Sequence, residues 1–222
     1  APDEAPRTVT LTRAFWIDVA ETTQARFAAW TGTTPSSFQD CGDDCPVEQI
    51  SWHMAAAAAN GRSAAEALPA CYACTGMGLD TRCAPVDALL DCQGYRLPTE
   101  AEWEVAARCG ADQPWPGADQ PDWVAWTRET ADPAPAPVGG LLRNACGLAD
   151  MGGNVSEWTH DGYAAAWADA TDPLGADSDT KSTRGGSWVA DPDLARTSAR
   201  RGRGATTASS ALGMRLVRTA AD

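Results

Sequence analysis

A single domain containing at least one short helix and one closing strand is what the residues alone predict, from three observations. The 222 residues fall inside the range of one domain, and no Ser- or Pro-rich linker divides them. Pro133–Pro137 comes nearest and reads as a surface loop, so the domain is expected to run from 1 to 222. Gly94–Arg108 carries a strong helix start, and Gly213–Val217 alternates weakly, as a closing strand would.

In the helix segment, Pro98 ends an extended entry and Thr99 is placed to cap the helix. Glu102 stands three residues on, as a capping box requires. Ala101, Val105 and Ala106 then make a short apolar stripe with Trp103 at its edge, which gives a helix of about two to three turns.

A second segment, Asn144–Trp158, sets glycines among oxygen donors: Asp150, the carbonyls around Gly152, Gly153 and Val155, and Glu157. Hard carboxylate and carbonyl oxygens on a tight loop are what calcium selects. The same residues also read as a glycine-rich turn with solvated or strand-capping acids, and the loop alone leaves both readings open.

Eight cysteines favour an oxidising compartment. Ala1–Pro6 reads like an end left by signal-peptide removal, a form that a cloning boundary would share. A secreted or periplasmic protein is therefore expected. No apolar run approaches the length of a membrane span. Cys71, Cys74, Cys83 and Cys92 lie in an insertion of about 69–93 and can also be written as a four-thiolate zinc site, or Cys71 and Cys74 as a redox pair. Zinc prefers two close pairs, of which only the first is present. A redox pair belongs at a helix start, which this Gly-rich stretch lacks. Disulfides are favoured, with Cys41–Cys45, pairings inside the insertion and Cys109–Cys146 as candidates, but sequence does not choose among the many connectivities.

Net charge is −13, and residues 181–222 hold eight of the 17 basic residues against three of the 30 acids. Those bases (Lys181, Arg184, Arg196, Arg200, Arg201, Arg203, Arg215, Arg218) are expected to pair with the acidic body, or else to line a groove for carboxylates or phosphates. Nucleic acid is not expected as a partner for so acidic a chain. Ten tryptophans against three phenylalanines are expected to pack core and rim. For Trp115, Trp123, Trp126 and Trp167, in loop-like sequence, lining a ligand cleft is the alternative to that packing, which stays the favoured reading of each.

With Phe15–Phe27, Pro46–Trp52, Arg184–Trp188 and Leu212–Arg218 added to the two segments above, the chain resembles the sulfatase-modifying factor, or formylglycine-generating enzyme, family along nearly its whole length. The resemblance implies a compact α+β domain of the C-type-lectin-like fold, with low regular secondary structure, short antiparallel strands and two to three helices. Helix candidates are Thr22–Thr31, Trp52–Ala67 and Thr99–Cys109; strand candidates include Arg7–Ile17 and Gly213–Val217. It also implies calcium held by the Asp150 side chain, the Gly153 and Val155 carbonyls and the Glu157 side chain. A second family calcium loop has no clear counterpart in the shortened stretch Asp122–Pro137.

The family's oxidases hold copper(I) with two cysteines after the Gly-Gly-Ser-aromatic phrase. The matching positions here are Ala190 and Ala195, and copper is not expected because alanine supplies no thiolate. With only His53 and His160, a three-histidine iron site is excluded. His53 is expected on a helix flank and His160 beside Asp161 at the surface. Ser187 reads as a turn serine, lacking a recognisable base. The expected function is a calcium- and disulfide-stabilised domain binding a peptide, protein or small anionic ligand in a cleft at Ser187, Trp188, Asp191, Arg196 and Arg200. An oxidoreductase with a rearranged metal site is the alternative, and oligomeric state is not legible.

Overall fold

In a computed structural model, residues 4–164 and 168–220 are described, so Trp167 lies outside the described residues. In chain order these give β1 (Val9–Thr10), β2 (Phe15–Ile17), α1 (Gln24–Thr31), α2 (Trp52–Ala65), β3 (Tyr72–Thr75), β4 (Arg82–Pro85) and β5 (Tyr95–Arg96). They continue with α3 (Glu100–Arg108), β6 (Ala125–Trp126), β7 (Gly152–Gly153), β8 (Ser156–Gly162) and β9 (Ala170–Thr171). The chain closes with β10 (Thr180–Arg184), β11 (Arg200–Gly204), β12 (Leu212–Gly213) and β13 (Val217–Thr219).

Each helix begins on a side chain that satisfies backbone N–H groups left over at its first turn. Thr23 caps α1 by accepting from Arg26, and Ser51 caps α2 by accepting from Met54. The expected capping box is present on α3: the Glu102 N–H donates to Thr99 Oγ1 (3.0 Å) and the Thr99 N–H donates to Glu102 Oε2 (2.8 Å). Arg96 then forks both Glu102 oxygens at 2.7 Å, so the capping carboxylate is buried without being unpaired.

The central sheet has the order β11-β10-β8-β12, antiparallel except for the last pair. A second sheet, β2-β13-β5, joins the two ends of the chain. Between these sheets and α2 lies a core of Phe27, Ile50, Trp52, Leu97, Trp158, Met214 and Leu216. A smaller cluster under α3 contains Trp103, Ala107, Leu148 and Met151.

Two expected strands are broken. Arg7–Ile17 splits into β1, parallel to β9, and β2, paired with β13. Between them Thr12 and Arg13 turn aside to bond Asp172, which an uninterrupted strand would forbid. Gly213–Val217 also divides. Gly213 lies so close to the Val47 carbonyl that a Cβ would stand 2.4 Å from it, and Arg215 then turns inward before β13 starts. Against the expected bounds α1 starts two residues later, α2 ends two residues earlier and α3 loses one residue at each end, as caps replace helical turns.

All eight cysteines are paired, as Cys41–Cys45, Cys71–Cys92, Cys74–Cys83 and Cys109–Cys146. The zinc and redox readings of the insertion therefore fall. Cys74 faces Cys83 directly across the β3–β4 hairpin, and Cys71–Cys92 closes its base. Asn60 of α2 ties that base down, donating to the Tyr72 carbonyl (2.7 Å) and accepting from the Cys71 N–H (3.1 Å). Met77 and Leu79 stand 86% and 65% exposed at the tip. Trp16, expected to pack, is 72% exposed on the outer face of β2.

Candidate functional site

The glycine-rich loop is built around a buried guanidinium. Arg215, fully buried, donates from Nε to Glu157 Oε2 (2.7 Å) and from Nη2 to Glu157 Oε1 (2.6 Å). It also donates to the carbonyls of Ala149 (2.9 Å), Asp150 (3.0 Å) and Asp18 (3.1 Å). The Trp103 indole completes the shell of Glu157 at 2.7 Å. Gly153 is required here, because its φ is +75° and a Cβ would meet the Trp126 backbone at 2.2 Å.

Sequence reasoning missed two members of this site. Glu21, buried, accepts from the Val155 N–H (2.9 Å) and from Asn154 Nδ2 (2.6 Å). Asn154 also bonds both the N–H (2.9 Å) and the carbonyl (3.1 Å) of Ala136, tying the loop to 133–137. Burial, then the nearby Asp150 and Glu157 charges, push the Glu21 carboxyl well above its ordinary range. Asp150 is raised by burial as well, against the pull of the Gly139 N–H that it accepts at 2.6 Å. Three carboxylates thus surround one guanidinium, and two negative charges are left over when all three are ionised.

That surplus and the all-oxygen donor set fit a hard divalent cation in chemistry. Among the described residues no three His, Cys, Asp or Glu side chains stand close enough to hold an ion between them. Calcium at Asp150 and Glu157 would thus have to lean on the Gly153 and Val155 carbonyls, and Glu157 would share its carboxylate with Arg215. Copper(I) does not fit the Gly-Gly-Ser-Trp phrase: Ala190 and Ala195 offer no donor, and every thiol is closed in a disulfide.

Beside that phrase lies a cleft of about 220 Å³, lined by Arg128, Ser156, Thr183, Ser187, Asp191, Arg200, Arg201 and Arg203 among others. Of the five predicted cleft residues it gathers Ser187, Asp191 and Arg200. Ser187 is a turn serine whose carbonyl accepts from the Ala190 N–H (2.9 Å), and neither histidine lines the cleft to serve as its base. Asp191 is exposed and pairs with Arg128 at 2.8 Å. Arg200 is buried and forks Glu100 at 2.6 Å through both Nε and Nη2. The other two point elsewhere. The Trp188 indole donates to the Ser210 carbonyl (3.1 Å) and the ring meets Phe38 edge-on, while Arg196 is held by Glu4 at 2.6 Å.

Pairing with the acidic body accounts for Lys181, Arg184, Arg196, Arg200 and Arg215. Arg201, Arg203 and Arg218 have no acid partner among the described residues. The expected surface pair of His160 and Asp161 is buried instead. His160 packs between Trp52 and Tyr72, and burial pulls its pKa down to about 3, so it is neutral and structural. Burial raises Asp161 to about 7 although it accepts the Glu100 N–H at 2.5 Å and the Gly175 N–H. His53 lies on α2 and accepts the Cys83 N–H at 3.1 Å. A separate cavity of about 380 Å³ lies between residues 4–9 and the outer face of α3.

The chain is similar in sequence and fold to known proteins. A chaperone protein, LppX of Paenibacillus barcinonensis, is 30% identical over 83% of this chain and 72% of its own length. The inactive Cα-formylglycine-generating enzyme 2 of Bos taurus is 36% identical over 55% of the chain and 44% of its own. Treponema denticola variable protein 1 superposes with a TM-score of 0.85 and 29% identity, over 96% of this chain and 87% of that one. Together with the glycine loop, the Gly-Gly-Ser-Trp turn and the short-stranded fold, a family-model match over residues 1–220 shows that the chain belongs to the sulfatase-modifying factor enzyme 1-like domain family.

Proposed function

We propose that this chain is a secreted or periplasmic binding domain that keeps the family fold without its copper chemistry. One observation carries the reading: alanine occupies both positions where copper thiolates would stand, and no other thiol is open to replace them. Two relatives support it, since one is named as a chaperone and another as an inactive enzyme. Four disulfides suit an oxidising compartment, and no helix among the described residues is long and apolar enough to cross a membrane.

In this reading the cleft at Ser187 and Asp191 takes a peptide, a protein segment or a small anionic ligand. Calcium at Asp150, Gly153, Val155 and Glu157 balances the buried carboxylates and stiffens the loop beneath Gly185. The test is metal content by plasma mass spectrometry after the chain is offered calcium, copper(I) and iron(II) and desalted, together with oxygen uptake in the presence of a thiol peptide. Calcium alone, near one per chain, with no oxygen uptake is the expected result. Stoichiometric copper or iron with metal-dependent oxygen uptake would replace this reading by an oxidoreductase with a rearranged site.

A further inference from the structure

The two unpaired arginines at the cleft stand on a strand with an open side. β11 is the outermost strand of the central sheet, and its residues 201–204 are all exposed. Gly202 and Gly204 add no side chain of their own to that edge; the Tyr163 ring lies over one face at Gly202, and the Gly204 carbonyl accepts the Thr207 N–H (2.8 Å), so the open stretch runs over 201–203. A strand edge of this kind presents N–H and C=O groups that an extended segment can pair with.

Charge sits beside those groups in register. Arg201 and Arg203 are two residues apart, so they leave the same face of β11, about 7 Å from each other. Both line the cleft, and neither has an acid partner among the described residues. An added strand repeats its own side chains at the same spacing, so alternate carboxylates would meet the two guanidiniums, whose planar forks match a carboxylate. The chain as a whole is acidic, with a net charge of −13. That field repels a long polyanion such as nucleic acid and leaves a short acidic segment at this rim as the favoured occupant.

We infer that β11 docks an extended segment of a partner protein, with acidic side chains at alternate positions, as a further strand of the central sheet. This rests on the binding-domain reading above and names the class of its partner.

The probes are labelled hexapeptides alternating threonine with glutamate or with lysine, plus the glutamate peptide N-methylated at alternate amides in each of its two phases. Fluorescence anisotropy with the full chain reads their affinities. The glutamate peptide binds and the lysine peptide does not. R201E/R203E weakens the glutamate peptide by about tenfold or more and admits the lysine peptide. One phase of N-methylation abolishes binding, because only one set of amides faces β11.

Both arginines are exposed, so the variants should melt with the wild type. If the reversal unfolds the chain, R201Q/R203Q gives the charge test. Equal competition by inorganic phosphate, with N-methylation harmless in both phases, would overturn strand docking in favour of an anion pocket. Binding of none of the peptides would leave the arginines as guards against edge aggregation and sink the inference. Without metal-dependent oxygen uptake, that failure would leave the binding-domain reading standing; with it, the reading would fall as well.

Discussion

Replacing Arg215 by methionine should be among the most damaging single changes in this fold. The substitution fills the space but removes every donor that Arg215 aims at Glu157 and at the Ala149, Asp150 and Asp18 carbonyls. Glu157 is fully buried and would keep only the Trp103 indole, with Glu21 and Asp150 close by. Breaking a buried pair from one side costs about 3–5 kcal/mol, since the remaining charge is stranded. At about 2–4 °C per kcal/mol for a domain of this size, the melting temperature should fall by about 6–20 °C. Urea and thermal melts followed by tryptophan fluorescence, with disulfides intact, measure this. The deficit should shrink between pH 8 and pH 5, as protonation relieves the stranded carboxylates, and E157Q/R215M should recover part of it. A loss under about 1 kcal/mol, equal at both pH values, would show that the guanidinium does not organise the loop.

Calcium added to stripped protein should stabilise the chain by about 2.7 kcal/mol at a hundredfold excess over its dissociation constant, and D150N should blunt the response. A flat calorimetric response would remove calcium from the proposal. Asp161 and His160 should oppose each other in pH dependence. Asp161, raised to about 7, stabilises below the ordinary aspartate range and loses that contribution as pH rises toward 7. His160, lowered to about 3, makes stability fall as pH drops below about 6.5. D161N should therefore expose a slope rising with pH and H160Q a falling one; parallel curves for both variants would contradict the assignment. Removing Cys109–Cys146, 37 residues apart, should cost about 4 kcal/mol, against about 2 for Cys41–Cys45, only four apart. The reverse order, measured on C109S/C146S and C41S/C45S, would argue against chain entropy as the main source.

What was legible in the sequence was mostly local. Thr99 and Glu102 reach each other inside one helical turn, so spacing alone announced the capping box. Ala190 and Ala195 were equally readable, because the absence of a thiol is fixed by residue identity. Glu21 was not: it lies 133 residues from the Asn154 amide that it receives, and nothing near it marks a buried carboxylate. The C-terminal arginines look alike in sequence, yet Arg200 is buried on Glu100 and Arg201 faces solvent, because neighbours on a strand leave opposite faces. Trp188 was assigned to the cleft by adjacency to Ser187 and failed for the same reason of direction. The strand breaks at Thr12 and Gly213 depend on contacts with Asp172 and Val47, which no local pattern encodes.

The β3–β4 hairpin has a consequence for how this domain tolerates change. Its cross-strand bridge and its basal bridge act as two successive clamps, so strain introduced beyond Cys74 and Cys83 is stopped before it reaches Asn60 and α2. The exposed Met77 and Leu79 at the tip are thereby mechanically insulated from the core and can drift at little cost, whereas Gly76 is fixed by its φ of +75° and by the Asp80 carbonyl 2.4 Å from where a Cβ would stand. The insertion works as a socket: a foreign loop placed between Met77 and Gly78 would be held out from the body on a stiff stalk, leaving the sheet, the glycine loop and the cleft undisturbed.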